Sequence, residues 1–298
     1  MFRPHLPLFA LCIAAFAPAA VDAQERVPAP GDIILKAIRS VESGDSSVIL
    51  EWREALDVPA SDSASQAEAL RLPSVEARDA ALGLAATAWV TYRHEEAERW
   101  LYGLLNSAVT TEPLTAFAWI LKGELAASQA RLAEADSAFA VAVGLAREIG
   151  DSRAQVWALI RLANVRGRLT GDPATSASLL SEAEPLLEDA SPFLKGQFHC
   201  VRAGNDPSGV WTAEADARAG MELARDAGIQ RLYSACLHVL ATDQLRRGRT
   251  NEALNTFWEE QEVQRAIGDR SGRAATLQWA GYLLFTSGDF AASRAYLL

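Results

Sequence analysis

The sequence feature that most constrains this chain is a small residue that recurs at nearly regular intervals. It stands at Ala97, Ala135, Ser176, Ala217, Ala253 and Ser293, with gaps of 38, 41, 41, 36 and 40 residues. In the clearest copy, Ala135, Phe139 and Ala142 are spaced by four and three positions, which places them on one face of a helix. The small residues let a partner helix come close, and the large ring fills the space beside them. The pattern predicts helix pairs that repeat about every 40 residues.

Turns led by glycine keep the same interval. They fall at Gly171-Asp172, Gly248-Arg249 and Gly288-Asp289 within helix pairs, and at Gly150-Asp151 and Gly268-Asp269 between successive pairs. Glycine suits the left-handed residue that ends a helix, and aspartate suits the residue that begins the next one. These dipeptides therefore predict short connections between neighbouring helices.

The composition favours helices and excludes two other classes of chain. Of the 298 residues, 57 are alanine, which loses no side-chain entropy in a helix. The hydrophobic fraction of 50% is too high for a chain that is disordered throughout. The net charge of −10 argues against a nucleic-acid platform, because such a surface is basic. We therefore expect no nucleic-acid partner.

The copy that begins near residue 112 resembles the tetratricopeptide repeat (TPR), in the bacterial type with a spacing of roughly 40 residues. The family patterns Trp-x2-Leu-Gly-x2-Tyr and Ala-x3-Phe are matched at Trp119, Gly123, Ala135 and Phe139, and Lys122 and Ala126 depart from them. The resemblance covers residues 78–298, about five and a half repeats. It implies an all-α fold: an α-solenoid of antiparallel helix pairs wound into a right-handed superhelix.

Residues 1–23 have the three-part layout of a secretory signal peptide. Arg3 supplies a positive start, residues 6–20 form a largely apolar stretch, and Ala23 precedes the expected cleavage. The stretch is shorter than the roughly 20 apolar residues that a membrane span needs. We expect a mature chain that is periplasmic or extracellular and has no membrane span, with a retained anchor as the alternative.

Residues 24–77 precede the repeats and are predicted to hold a linker and a short helical hairpin. Its helices cover residues 33–41 and 48–56, joined at Gly44-Asp45. Solenoids need a cap over their first apolar face, so we expect capping helices or a degenerate repeat here.

The far end of the sequence lacks such a cap. The second helix of the last copy stops at Leu298 with no polar or glycine-rich ending. We therefore expect this chain to be the N-terminal region of a longer protein.

No motif for chemistry is found. The chain has no phosphate-binding glycine loop, no Gly-x-Ser-x-Gly, no His-Glu-x-x-His and no cysteine pair at zinc spacing. His199 and Cys200 are adjacent, and neighbours in a helix point about 100° apart, which excludes a Cys–His dyad. We predict no catalytic residue, no cofactor and no metal site.

The two cysteines left after signal cleavage, Cys200 and Cys236, leave a disulfide open. An oxidising compartment permits one. Neighbouring helices are about 8–10 Å apart, whereas a disulfide needs Cα atoms about 5.5–6 Å apart. Two unpaired, buried thiols are the alternative.

The resemblance to TPR arrays implies a binding surface, because the first helix of each pair lines the concave face in that family. Periodicity projects eight residues there: Glu124, Arg161, Arg168, His238, Thr242, Arg246, Gln278 and Tyr282. The arginines are suited to bidentate binding of carboxylates. Ordinary solvated charges on helix faces are the alternative.

The sequence therefore predicts an exported TPR scaffold that binds a protein or peptide through its concave face. Two alternatives remain. One is the N-terminal region of a longer enzyme, such as a caspase-like CHAT peptidase. The other is the exported part of a membrane-bound sensor.

Overall fold

The computed structural model describes residues 29–56, 72, 74–106, 113–205 and 212–297. The signal-peptide prediction for residues 1–23 lies outside these ranges. The described part holds helices and no strand. The helices are α1 Pro30–Ser43, α2 Ser47–Ala55, α3 Val75–Val90, α4 His94–Asn106, α5 Pro113–Ser128, α6 Leu132–Ile149, α7 Ser152–Thr170, α8 Pro173–Ala183, α9 Pro192–Gly204, α10 Thr212–Ala227, α11 Gln230–Arg246, α12 Thr250–Ala266, α13 Arg270–Thr286 and α14 Phe290–Leu297. A single 3₁₀ turn, Glu184–Leu187, extends α8.

The predicted turns are present between these helices. All five predicted glycines have left-handed backbones, with φ of 71° at Gly150, 63° at Gly171, 73° at Gly248, 70° at Gly268 and 86° at Gly288. Aspartate begins the next helix in three of these turns: Asp151, Asp172 and Asp269 each accept a hydrogen bond from a backbone N–H of the first turn. Local sequence thus determines where these helices end and begin.

The recurring small residues lie where helices touch. Ala97, Ala135, Ser176, Ala217 and Ala253 are 0% exposed and Ser293 is 3% exposed, which confirms their predicted burial. Gly123 shows why size matters: a Cβ added there would lie 2.6 Å from the ring of Phe139, whose side chain is fully buried. The ring fills the space that glycine leaves, as the sequence pattern predicts.

The described chain is an all-α protein whose helices pack on their neighbours in sequence. Every helix from α1 to α14 contacts the next one. The odd-numbered helices also contact each other in series, α3 with α5, α5 with α7, α7 with α9, and α9 with α11. We call this series the inner helices. None of the described helices is long and apolar enough to cross a membrane.

Helix α1 has a larger role than the predicted capping hairpin. It packs against α3 and α5, and its Ile33, Ile34 and Ile38 are buried. Polar side chains extend its contacts much further along the chain. Asp32 accepts a hydrogen bond of 2.6 Å from Arg153 of α7, and Arg39 donates to the carbonyl of Ala227 at the end of α10. Helix α1 therefore lies across the inner helices, which the sequence pattern did not predict.

Cys200 and Cys236 form a disulfide, with Cα atoms 5.2 Å apart. The usual separation of neighbouring helices argued against it. The bond joins α9 to α11, and α10 presents Gly220 to both sulfurs, where an added Cβ would lie 2.6 Å from the Sγ of Cys200 and 2.9 Å from that of Cys236. The absence of a side chain at Gly220 lets these three helices converge and brings the sulfurs together.

Replacing Phe139 by Ala should lower the free energy of unfolding by about 3–5 kcal/mol, the usual loss for a fully buried phenylalanine. Chemical denaturation followed by circular dichroism measures the change. Val141→Ala is the matched control, because that side chain lies on the same helix and is 40% exposed. A loss below about 1 kcal/mol for Phe139→Ala would contradict the assigned helix contact.

Candidate binding site

A cavity of about 380 Å³ lies between the inner helices and is lined mainly by α7, α9 and α11. We call it the central cavity. Helix α1 contributes Ile38 to its wall, α3 contributes Trp89 and α5 contributes Glu124. Six helices from different parts of the sequence thus line one partly open cavity. Its volume falls within the usual range for small-molecule sites, about 300–1,000 Å³.

The apolar wall of the central cavity is built around Trp157 of α7, which is 2% exposed. Its ring packs edge-on against Phe117, with centroids 5.9 Å apart, and against Phe193, with centroids 5.0 Å apart. Such edge-to-face contacts fix the orientation of aromatic rings. Trp157, Phe193 and Leu232 therefore give the cavity a preformed apolar surface.

A buried carboxylate adjoins this wall. Glu124 is 5% exposed and accepts a hydrogen bond of 2.6 Å from Arg161 of α7. The indole N–H of Trp157 points to its other oxygen at 3.5 Å. Only one nitrogen of Arg161 is used in this way, and its Nε is buried with no hydrogen-bond partner among the described residues. Arg161 therefore retains an N–H group at the cavity wall that can donate a further hydrogen bond.

A second arginine reaches the central cavity from α11. Arg231 donates to the carboxylate of Asp269 at 3.2 Å and to the carbonyl of Val90 at 3.1 Å. Tyr92 also donates to Asp269, at 2.7 Å. Burial first, and then the neighbouring Asp269 carboxylate, raises the pKa of Tyr92, so its hydroxyl stays a donor at neutral pH. These contacts join the turn after α3 to the start of α13.

The eight predicted binding residues fall into two groups. Glu124, Arg161 and Arg168 line the central cavity. The other five, His238, Thr242, Arg246, Gln278 and Tyr282, lie on α11 and α13. We call the surface formed by these five residues and Trp279 the open face.

Contacts between aromatic rings link the side chains of the open face. His238 lies 3.3 Å from a carboxylate oxygen of Glu260, and its ring centroid is 6.2 Å from that of Trp279. Trp279 in turn lies edge-on to Tyr282 at 6.3 Å. Trp279 is 43% exposed and Tyr282 is 56% exposed, so a partner can reach both rings. Two aromatic side chains side by side provide contact area at a small cost in conformational entropy.

The remaining residues of the open face differ in availability. Arg246 and Gln278 are exposed. The hydroxyl of Thr242 donates to the carbonyl of His238 one turn earlier, at 2.8 Å, so its donor is already in use. The open face therefore offers one guanidinium, one amide and two aromatic rings.

Sequence reasoning missed several residues of the central cavity. Arg231 was not predicted, because its contacts lie 38 and 141 positions away in the chain. Gln197 was not predicted either, and its Oε1 is buried with no hydrogen-bond partner among the described residues. Trp89 of α3 also lines the cavity and was not among the predicted residues. The periodicity of a single helix does not indicate which of its residues line a cavity formed with distant helices.

His199 and Cys200 do not act on each other, as the helix geometry predicted. Cys200 is bonded to Cys236. His199 and Arg202 both contact the buried carboxylate of Asp216 on α10, at 2.9 Å from His199 Nδ1 and 2.5 Å from Arg202. Burial by itself raises the pKa of Asp216, and these hydrogen bonds and charges outweigh it and hold the pKa below its ordinary value. The cluster joins α9 to α10.

The described residues include no group of three or more His, Cys, Asp or Glu side chains placed to hold a metal ion. The fold and the site together define an all-helical protein with repeated helix pairs and a cavity among its inner helices. Comparisons of the chain with protein-family models and with curated proteins find no match.

Replacing Asp216 by Asn should destabilise the folded chain by about 1–3 kcal/mol at pH 7, because hydrogen bonds to charged partners are lost. Since folding lowers the pKa of Asp216, its contribution is present above the unfolded value of 3.8 and is lost as the pH falls through the folded pKa. Denaturation curves of both proteins at pH 7 and pH 3 should show a smaller difference at pH 3.

The control for this experiment is Glu262→Gln, which removes one partner of an exposed ion pair with Arg265. Exposed pairs contribute little, so its stability should follow that of the wild type. Equal destabilisation by Asp216→Asn at both pH values would show that the charge is not responsible.

Proposed function

We propose that this chain is a TPR-type scaffold: a right-handed α-solenoid that binds a protein or peptide partner and carries out no catalysis in this segment. The recurring buried residues and the serial contacts of the inner helices support the solenoid. In such arrays each pair packs only on its neighbours and leaves one helix of each pair facing inward. The inner helices supply that surface here.

The open face is the proposed partner site, and the observation that carries it is the exposure of Trp279, Tyr282 and Arg246. The corresponding surface on α3 and α5 is less accessible to a partner, because α1 packs on those helices. Aromatic rings and arginine are the side chains that contribute most to protein interfaces. The chemistry favours a partner segment that carries both an apolar and an acidic side chain, because these suit the exposed rings and Arg246.

We also propose that the chain is exported. The signal-like residues 1–23 motivate this, and the Cys200–Cys236 disulfide supports it, because structural disulfides persist in oxidising compartments. The proposed location is the periplasm or the outside of the cell.

A displayed-peptide selection against the full chain tests the partner site. The wild type should enrich peptides that combine an aromatic or aliphatic residue with Asp or Glu. The double variant Arg246→Ala, Tyr282→Ala should bind a selected peptide roughly tenfold or more weakly, because it loses both the charged and the aromatic anchor. Isothermal titration calorimetry with the synthetic peptide measures the affinity.

The matched control is Arg265→Ala, which removes an exposed arginine of α12. Its affinity should equal that of the wild type. Selection of no peptide class, or equal loss of affinity in the control and the double variant, would contradict a partner site on the open face.

Fusion of residues 1–28 to alkaline phosphatase tests export, because that enzyme is active only after its own disulfides form outside the bacterial cytoplasm. We expect activity from the fusion. Replacing the apolar residues Leu8, Leu11 and Ile13 by Asp should abolish it, since the apolar region of a signal peptide is required. Activity that survives this change would exclude a signal peptide.

A further inference from the structure

The central cavity combines an apolar wall with more positive than negative charge, in a chain whose net charge is −10. Three arginines line it, Arg161, Arg168 and Arg231, against a single lining carboxylate, Glu124. Guanidinium groups that line a cavity attract an anionic ligand where their charge is not already neutralised. The pairing of these groups determines which anion fits.

Two of the three positive charges are already balanced. Arg161 is paired with Glu124 at 2.6 Å, and Arg231 with Asp269 at 3.2 Å. Arg168 is exposed and forms no ion pair with another described residue. One unbalanced positive charge matches a monoanion, such as a carboxylate, better than the dianion of a phosphate monoester.

Unused polar atoms mark where the ligand would bind. The Nε of Arg161, the Nε of Arg231 and the Oε1 of Gln197 are buried and have no hydrogen-bond partner among the described residues. Buried polar atoms are almost always paired in folded proteins. Two guanidinium donors and one amide acceptor at one cavity are complementary to a carboxylate whose ligand also carries a donor.

The size of the central cavity and the position of α1 favour a short ligand. Helix α1 covers α3 and α5 and supplies Ile38 to the cavity wall. The volume of about 380 Å³ lies near the lower end of the range for small-molecule sites. Trp89, Trp157 and Phe193 present aromatic surface to whatever enters.

We propose that the central cavity binds a small organic monocarboxylate with an aromatic or branched aliphatic body and a hydroxyl that donates to Gln197. The carboxylate lies against the free guanidinium donors, and the body packs on Trp157 and Phe193. This site is separate from the open face, so it goes beyond the proposed partner binding and can fail or hold independently of it.

Calorimetric titration of the full chain with 3-phenyllactate, whose hydroxyl supplies the donor, tests the proposal. Its uncharged amide and the dianion phenethyl phosphate are the comparison ligands. We expect binding of the acid, with affinity at least roughly tenfold higher than that of either comparison ligand, since only the acid satisfies the guanidinium groups without excess negative charge. Absence of measurable heat with the acid, or equal affinity for acid and amide, would overturn the proposal.

Two variants locate the site. Arg168→Gln should weaken binding of 3-phenyllactate roughly tenfold, and because Arg168 is exposed the fold should tolerate the change. Arg265→Gln removes an exposed arginine of α12 that lies outside both sites and should leave the affinity unchanged. Loss of affinity in both variants, or in neither, would overturn the assignment to the central cavity.

A peptide ligand tests whether the bound carboxylate belongs to a free acid or to a peptide C-terminus. An N-acetylated pentapeptide that ends in phenylalanine carries the same apolar body and carboxylate at its C-terminus. The central cavity should bind it at least roughly tenfold more weakly than the free acid, because the volume suits the smaller molecule and α1 covers one side of the site. Equal or tighter binding of the peptide would overturn the proposal of a small-molecule site and favour a peptide terminus as the ligand.

Discussion

Close contact between helices at small side chains is the constraint on which the rest of this structure depends. Where Gly123 of α5 faces Phe139, the ring occupies the volume that a side chain at position 123 would take. The same principle applies at Gly220, whose missing side chain lets the sulfurs of Cys200 and Cys236 meet. Because packed interiors tolerate little change in volume, each such contact sets the separation of its helix pair. The position of every inner helix then follows from the pairs before it, and the central cavity is the space that these separations leave.

Helix α1 gives the array its second constraint, which is electrostatic. Its Arg39 donates to the carbonyl of Ala227 at the negative end of α10, and its Glu42 accepts from the backbone N–H groups of Gln230 and Arg231 at the positive end of α11. Helix α11 needs this help because Ile229, at its N-cap, has no side chain that can accept a hydrogen bond. Burial raises the pKa of Glu42 despite these contacts. By crossing the inner helices, α1 closes one part of their surface and leaves α11 and α13 open.

The sequence alone predicted the structure wherever the interacting residues are close along the chain. Helix ends, turn glycines and the six buried small residues follow from spacings of three, four and about 40 residues, all visible as periodicity. The position of α1 was not predictable, because Glu42 binds atoms 188 and 189 positions away. The binding residues divide in the same manner. Periodicity placed Glu124 and Arg161 on one side of the central cavity, and it had no means of adding Arg231, whose orientation is set by Val90 and Asp269.

Asp269 shows how the two surfaces are physically connected. Its carboxylate caps the first turn of α13 through the N–H of Gly272, accepts from Tyr92 and pairs with Arg231. Arg231 lines the central cavity, whereas α13 carries Trp279 and Tyr282 of the open face. Three donors from three parts of the chain thus converge on one side chain that is 8% exposed. Since a buried carboxylate is stable only when it is paired, the geometry of the cavity wall and the placement of α13 depend on the same group.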